Sequence, residues 1–261
     1  MIIDFHTHCF TDSVAKKAIP ALEERSGVKT AHAGTLSSLR QHMAQSGVDR
    51  FVVQPVATKP PQVQTIIQWA KENEDEQAVF FGALHPDDED LLQAAQQLKD
   101  LGFKGVKLHG DYQGFFADEE RMMPLYAALR DLGMILLLHA GVDIGMPNLV
   151  HCTPLMIANI HRRIPGLKLV AAHMGSHGLW RDAEDLLVGK DVYFDTSYSY
   201  YKLGRENMAR MIRDHGTDKV LFGTDSPWKD AGEAVDQIAS LCLSASDTDR
   251  IFCENALSLL E

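Results

Sequence analysis

The chain has 261 residues, 45% of them hydrophobic, and it carries a formal net charge of −11. This is enough apolar material for one large core, and the acidic balance argues against nucleic acid or an anionic membrane as a partner. The longest apolar run, 134–138, is too short to span a bilayer, and the four cysteines have no CxxC spacing. We therefore expect a cytoplasmic protein whose partner is a small molecule. The sequence is also compatible with a homo-oligomer.

Eight short apolar runs alternate with amphipathic segments of helical length, which indicates alternating strands and helices. The predicted strands cover 2–8, 51–56, 78–84, 104–109, 134–139, 168–173, 191–196 and 219–225. The predicted helices cover 35–46, 88–101, 121–132, 154–164, 206–215, 231–241 and 247–261. At six helix-to-strand joints a glycine stands where the helix should end.

Strands that are apolar on both faces and alternate with helices predict a parallel sheet covered on both sides. Eight of them favour a closed (β/α)8 TIM barrel, an α/β fold in a single domain spanning 1–261. The alternative is an open doubly wound sheet, whose nucleotide site would need a glycine-rich turn after the first strand. HCFTDS follows that strand instead.

Histidines and one aspartate stand at the predicted strand ends. His6 and His8 are two apart on one strand, so their side chains leave the same face. Later strands end in further candidates, namely His109, His139, His173 and Asp225. Active sites of such barrels lie at the carboxyl ends of the strands, and this donor set suits Zn²⁺, Mn²⁺, Fe²⁺ or Co²⁺.

Four segments, HTH, LLLHAG, VAAHMG and FGTDSPW, resemble the amidohydrolase superfamily. The branch they resemble is the amidohydrolase-2 group, which includes aminocarboxymuconate-semialdehyde decarboxylase, γ-resorcylate decarboxylase and lactone hydrolases. The resemblance implies one divalent metal ion, usually zinc, held by His6, His8, His139 and Asp225. His173 would be a further ligand or the acid/base beside the metal.

The fourth strand raises the question of a second metal ion. The KLH segment puts Lys107 and His109 on one face. Some superfamily members carry a carboxylated lysine here that bridges two ions, but carboxylation needs an unprotonated lysine, and the sequence shows no cause for that shift. In the alternative, Lys107 or His109 binds a substrate carboxylate or pairs with a neighbouring acid.

Loops after the later strands carry side chains of the types that line pockets. We expect substrate contacts from a subset of them, with a small cyclic or unsaturated carboxylate as the substrate class. The candidates are His151, His177, Trp180, Tyr198 and Trp228.

These observations rank four functions. The first is a metal-dependent hydrolase of a lactone, amide or ester, in which activated water attacks and Asp225 or His173 accepts the proton. The second is a non-oxidative decarboxylase of the same branch. A TatD-type deoxyribonuclease ranks lower, because that family has an acid where Gly223 stands and because of the net charge. A non-catalytic metal-binding barrel likewise ranks below the first two.

Overall fold

The computed structural model describes residues 1–261 and forms a ring of parallel strands surrounded by helices. The strand segments are β1 (Ile3–Thr7), β2 (Arg50–Val53), β3 (Ala78–Phe80), β4 (Gly82–Ala83), β5 (Gly105–Leu108), β6 (Ile135–Leu138), β7 (Lys168–Ala171), β8 (Tyr193–Asp195) and β9 (Val220–Leu221). Only Phe81 separates β3 from β4, so the two segments form one barrel strand. Each of the eight predicted strands is thereby confirmed.

The last strand pairs with the first and closes the barrel. The backbone N–H of Phe5 donates to the carbonyl of Phe222 at 2.8 Å, and the N–H of Asp225 donates to the carbonyl of His6 at 2.8 Å. All other neighbouring strands pair in parallel in chain order. The predicted single-domain (β/α)8 fold is therefore correct.

The helices surround this ring. They are α1 (Asp12–Ser26), α2 (Leu36–Gln45), α3 (Val63–Asn73), α4 (Leu91–Asp100), α5 (Gly110–Gln113), α6 (Met123–Asp131), α7 (Pro154–Arg163), α8 (Trp180–Leu186), α9 (Tyr200–His215), α10 (Ala231–Ala239), α11 (Ala245–Asp249) and α12 (Asn255–Leu260). Four of them, α1, α3, α5 and α8, were not predicted. Helix α1 contains Pro20, a residue that ordinarily argues against a helix interior. None of the helices combines the length and the apolarity that crossing a membrane requires.

The six glycine joints all have positive φ angles, between 66° and 107°. They are Gly47, Gly102, Gly133, Gly166, Gly189 and Gly216. A side chain at such angles would be strained, so these glycines let each helix stop and the chain turn into the next strand. Because these glycines mark the helix ends, the order of helices and strands could be predicted from the sequence.

His215, at the end of α9, is buried, and in its neutral form both ring nitrogens have hydrogen-bond partners. Its Nε2–H donates to the carbonyl of Val192 at 2.8 Å, and its Nδ1 accepts the N–H of Gly189 at 3.2 Å. The ring stacks on Phe194 at 3.8 Å between centroids. Burial lowers the pKa of His215 to about 4. A second ring proton would also displace the N–H of Gly189 from Nδ1.

We expect the free energy of unfolding to fall as the pH drops from 7 to 5. The unfolded histidine, with an ordinary pKa near 6.5, takes up a proton in this range while folded His215 does not, at a cost of about 2 kcal/mol by pH 5. Denaturant titrations should show a shallower pH dependence for His215→Gln. His161→Gln on α7 is the control, and an unchanged slope in His215→Gln would contradict the assignment.

Candidate metal centre

Three of the predicted ligands meet at the carboxyl end of the barrel. The Nε2 atoms of His6 and His8 lie 3.1 Å apart. Oδ1 of Asp225 is 3.2 Å from Nε2 of His8 and 3.6 Å from Nε2 of His6. The closing bond between the last and first strands brings this carboxylate beside the two imidazoles, as the strand-end positions predict.

The far side of each imidazole has a fixed hydrogen-bond partner. Nδ1 of His6 lies 2.8 Å from Oδ2 of Asp195, and Nδ1 of His8 lies 2.8 Å from the carbonyl oxygen of Gln54. Both partners accept, so both rings carry their proton on Nδ1. Two unprotonated Nε2 atoms therefore face each other beside a carboxylate oxygen, an arrangement that a bound divalent cation stabilises.

The pKa values of these groups favour the ligand forms at neutral pH. Burial, together with the charge of Lys107, lowers the pKa of His6 to about 3, so its ring is neutral. Burial alone would raise the pKa of Asp225, but a hydrogen bond from His8 and the charge of His6, both in their protonated forms, outweigh it and hold that pKa well below its usual range; a bound cation takes the place of these protons. Neutral imidazoles and an ionised carboxylate are what a divalent cation requires.

Lys107 is buried against the same group. Its Nζ lies 3.1 Å from Nε2 of His6, and the residue is 1% exposed. Burial lowers the pKa of Lys107 to about 8, although the negative charges of Asp195 and Asp225 raise it. Burial is thus a cause of easier deprotonation of Lys107 that the sequence did not reveal.

His139 and His173 form a pair next to these ligands. Nδ1 of His173 lies 3.1 Å from the carbonyl oxygen of Ser197 and is therefore protonated, which leaves Nε2 as an acceptor 3.0 Å from Nδ1 of His139. The His173 ring centroid is 5.2 Å from that of His6. The predicted fourth ligand, His139, also stacks on His109 at 4.0 Å, and it belongs to a different convergent group from His6.

Both predicted catalytic residues have left-handed backbone conformations, with φ of 60° at His173 and 69° at Asp225. Such conformations cost on the order of 1–3 kcal/mol each and concentrate at functional sites.

Asp195 and Ser197 also belong to this centre, and neither was predicted from the sequence. Asp195 is fully buried at the end of β8, where Oδ2 accepts from His6 and Oδ1 accepts the backbone N–H of His173 at 3.0 Å. One carboxylate thus orients a predicted ligand and the predicted acid/base. Its place at a strand end, like that of Asp225, was the available signal.

The predicted substrate contacts divide into two sets. His177, Trp180 and Tyr198 adjoin His173: the His177 ring lies 6.1 Å from it, Trp180 donates its indole N–H to the His173 carbonyl at 2.9 Å, and the Tyr198 ring is 6.0 Å from His177. His151 instead pairs with Asp111 at 2.8 Å.

Trp228 completes the predicted set, and it adjoins Asp225. It is half-buried and donates its backbone N–H to the Asp225 carbonyl at 2.9 Å.

Residues 3–261 match the family model described as Amidohydrolase, Amidohydro_2. The chain belongs to this amidohydrolase family. A γ-resorcylate decarboxylase of Polaromonas sp. strain JS666 is 23% identical over 231 residues, which cover 69% of each chain. A probable dihydroorotase of Schizosaccharomyces pombe is 24% identical over 184 residues, which cover 66% of this chain and 48% of that protein.

Solved structures of decarboxylases share the fold of this amidohydrolase. The 5-carboxyvanillate decarboxylase of Sphingomonas paucimobilis superposes with a TM-score of 0.73 at 15% identity, covering 99% of this chain and 98% of that one. A dihydroxybenzoic acid decarboxylase of Polaromonas sp. JS666, with bound manganese and the inhibitor 2-nitroresorcinol, gives 0.74 at 17% identity over 99% and 96%. At 15% and 17% identity, the structural similarity establishes the shared barrel fold alone. The resemblance to the amidohydrolase-2 branch is confirmed by the family match.

We predict that Asp195→Asn weakens divalent metal binding by about 10- to 100-fold, because the His6 ring loses the carboxylate that fixes its proton and orientation. Chelator competition measures the affinity. Asp191→Asn, which removes an exposed carboxylate four residues earlier, is the matched control. Equal affinity in both variants would show that Asp195 does not orient a ligand.

Proposed function

We propose that this amidohydrolase holds a divalent metal ion at His6, His8 and Asp225 and catalyses non-oxidative decarboxylation of a small hydroxylated aromatic acid. The observation that supports the metal site is that the Nε2 atoms of His6 and His8 face each other beside Asp225. Both atoms are unprotonated, because Asp195 and the Gln54 carbonyl hold the ring protons on Nδ1. The named decarboxylases support this reaction better than the hydrolysis that the sequence analysis ranked first.

The identity of the ion is part of the proposal. Two imidazole nitrogens and a carboxylate oxygen suit zinc, which the sequence resemblance favours, and also manganese. The manganese in the structurally similar dihydroxybenzoic acid decarboxylase makes Mn²⁺ the second ion to load. His139 remains a predicted fourth ligand.

Decarboxylation exchanges a carboxylate for a proton on the same carbon. The ring carbon gains the proton, the bond to the carboxyl carbon breaks, its electron pair returns to the ring, and CO2 leaves. A bound divalent ion stabilises negative charge on substrate oxygens. The chain must then supply a proton donor and a dry site for an aromatic ring.

His173 is the candidate proton donor. Its Nδ1–H is committed to the Ser197 carbonyl, so Nε2, which faces Nδ1 of His139, is the atom that would gain and then give up the proton. Asp225, whose pKa is held low, stays ionised and supplies charge rather than a proton. The aromatic side chains of His177, Trp180 and Tyr198 offer flat surfaces beside His173 for a substrate ring.

Hydrolysis is the second candidate, and Lys107 is the observation that favours it. A buried lysine with a pKa near 8 beside His6 fits the carboxylated bridge of two-metal members. The probable dihydroorotase among the relatives adds to this case. In this reaction Asp225 or His173 accepts a proton from water that attacks a lactone, amide or ester.

To distinguish the two reactions, full-length protein loaded with Zn²⁺ or Mn²⁺ is incubated with 2,6-dihydroxybenzoate, 5-carboxyvanillate, cyclic lactones and dihydroorotate. We expect CO2 release with formation of the decarboxylated ring, and loss of activity after chelation that the metal restores. Ring opening without CO2 would support hydrolysis. Metal binding without turnover on the panel would favour the non-catalytic barrel.

We predict that His173→Gln lowers kcat by about 10²- to 10⁴-fold, because the proton donor is lost. Its metal content, measured by elemental analysis, should remain close to that of the wild type. His161→Gln on α7 is the control for removing a histidine. A wild-type rate in His173→Gln would assign proton transfer to another group.

A further inference from the structure

The loop between α1 and α2, residues 27–35, lies against the turn that follows the last barrel strand. In one contact, the backbone N–H of Ala31 donates to the carbonyl of Pro227 at 2.8 Å. The loop is also bonded to the chain just after the first strand, since the N–H of Phe10 donates to the Gly34 carbonyl at 2.8 Å. It therefore connects the two chain segments that supply the proposed metal ligands.

One side chain of this loop, His32, contacts the same turn in a single tautomer. The N–H of Gly34 donates to Nδ1 of His32 at 3.2 Å, so that nitrogen carries no proton, and Oγ of Ser38 lies 3.0 Å from it. In the neutral ring the proton is then on Nε2, which donates to Oγ of Ser226 at 2.9 Å. Burial, together with the nearby His42, lowers the pKa of His32 to about 4, so the ring is neutral at pH 7.

Ser226 is connected to two proposed metal ligands. It follows Asp225 directly in the chain and is fully buried. Its carbonyl accepts the N–H of His8 at 2.6 Å, and its own N–H donates to Oγ1 of Thr224 at 2.9 Å. A hydrogen bond to the Ser226 side chain therefore limits how far this part of the metal centre can shift.

Asp225 requires such restraints because of its backbone. Its φ of 69° is unfavourable for a residue with a Cβ atom, and a conformation of this kind persists only where the surrounding structure holds it. The 27–35 loop supplies two hydrogen bonds to the two residues that follow Asp225, one from the backbone of Ala31 and one from the side chain of His32. Without the second bond, the carboxylate is free to move relative to the two imidazoles.

We infer that His32 is a positioning residue of the metal centre: through Ser226 it holds the carboxylate of Asp225 in the place where it binds the ion. This inference rests on the proposed function, because it concerns the same ion. It assigns to a residue outside the ligand set a part of the affinity for that ion, as partners of metal ligands commonly have.

The competing explanation is that His32 stabilises only its own loop. That role depends on Nδ1, which accepts the N–H of Gly34 two residues later in the chain. The positioning role depends on Nε2, which donates to Ser226. Two substitutions separate these roles, since the side-chain oxygen of Asn accepts a hydrogen bond in such a turn, whereas the side-chain nitrogen of Gln reaches as far as Nε2 and donates there.

Full-length wild type, His32→Asn, His32→Gln and Ser226→Ala are stripped with chelator and titrated with Zn²⁺ against a chromophoric chelator. We expect His32→Asn and Ser226→Ala each to weaken Zn²⁺ binding by about 3- to 10-fold, the effect of one lost hydrogen bond, and His32→Gln to stay within about twofold of wild type. The double variant His32→Asn/Ser226→Ala should bind Zn²⁺ as well as either single variant, because both changes remove the same bond. His161→Asn on α7 is the control, and circular dichroism verifies folding.

Three results would contradict the positioning role while leaving the proposed function intact. They are wild-type Zn²⁺ affinity in His32→Asn, an equal loss in His32→Asn and His32→Gln, and additive losses in the double variant. A wild type that binds no Zn²⁺ would instead overturn the proposed metal centre, and the role of His32 with it. The two proposals therefore fail on different measurements.

Discussion

The closure of the barrel between β9 and β1 is the constraint on which the candidate centre depends. The N–H of Asp225 binds the carbonyl of His6, and the N–H of His8 binds the carbonyl of Ser226 at 2.6 Å. Asp4 strengthens the same junction, because its carboxylate accepts the backbone N–H groups of His6 and Thr224, both at 3.0 Å. Residues more than 200 positions apart are thereby brought within ligand distance of one another.

Burial then determines the protonation state of the centre. Desolvation removes the charge from the His6 imidazole, while the carboxylate of Asp195 stays ionised because the His6 N–H donates to it and compensates for its burial. The low dielectric that makes isolated buried charges costly also makes a cluster of neutral nitrogens and a carboxylate a strong cation site. Lys107 follows the same rule, since burial lowers its pKa to about 8.

Outer carboxylates extend this arrangement beyond the direct ligands. Asp195 contacts the His6 ring and the backbone of His173, and Asp143 and Asp111 bracket His109. Asp195 holds the ring proton of His6 on Nδ1, Asp143 that of His109 on Nε2 and Asp111 that of His151 on Nδ1, so the opposite nitrogen of each ring is free. The direction of the free lone pairs is thus set by residues that need not touch a metal ion or a substrate.

The sequence alone determined the fold and the main candidates. Apolar runs, helical periods and six glycines with positive φ specify alternating strands and helices, because these signals are local. The same-face spacing of His6 and His8 follows from the period of a strand. Only the tertiary structure decided which nitrogen of each ring is free, why Lys107 has a lowered pKa, and that Asp195 and Asp111 are partners of the distant His6 and His151. These properties depend on burial and on contacts between remote segments, which no local pattern encodes.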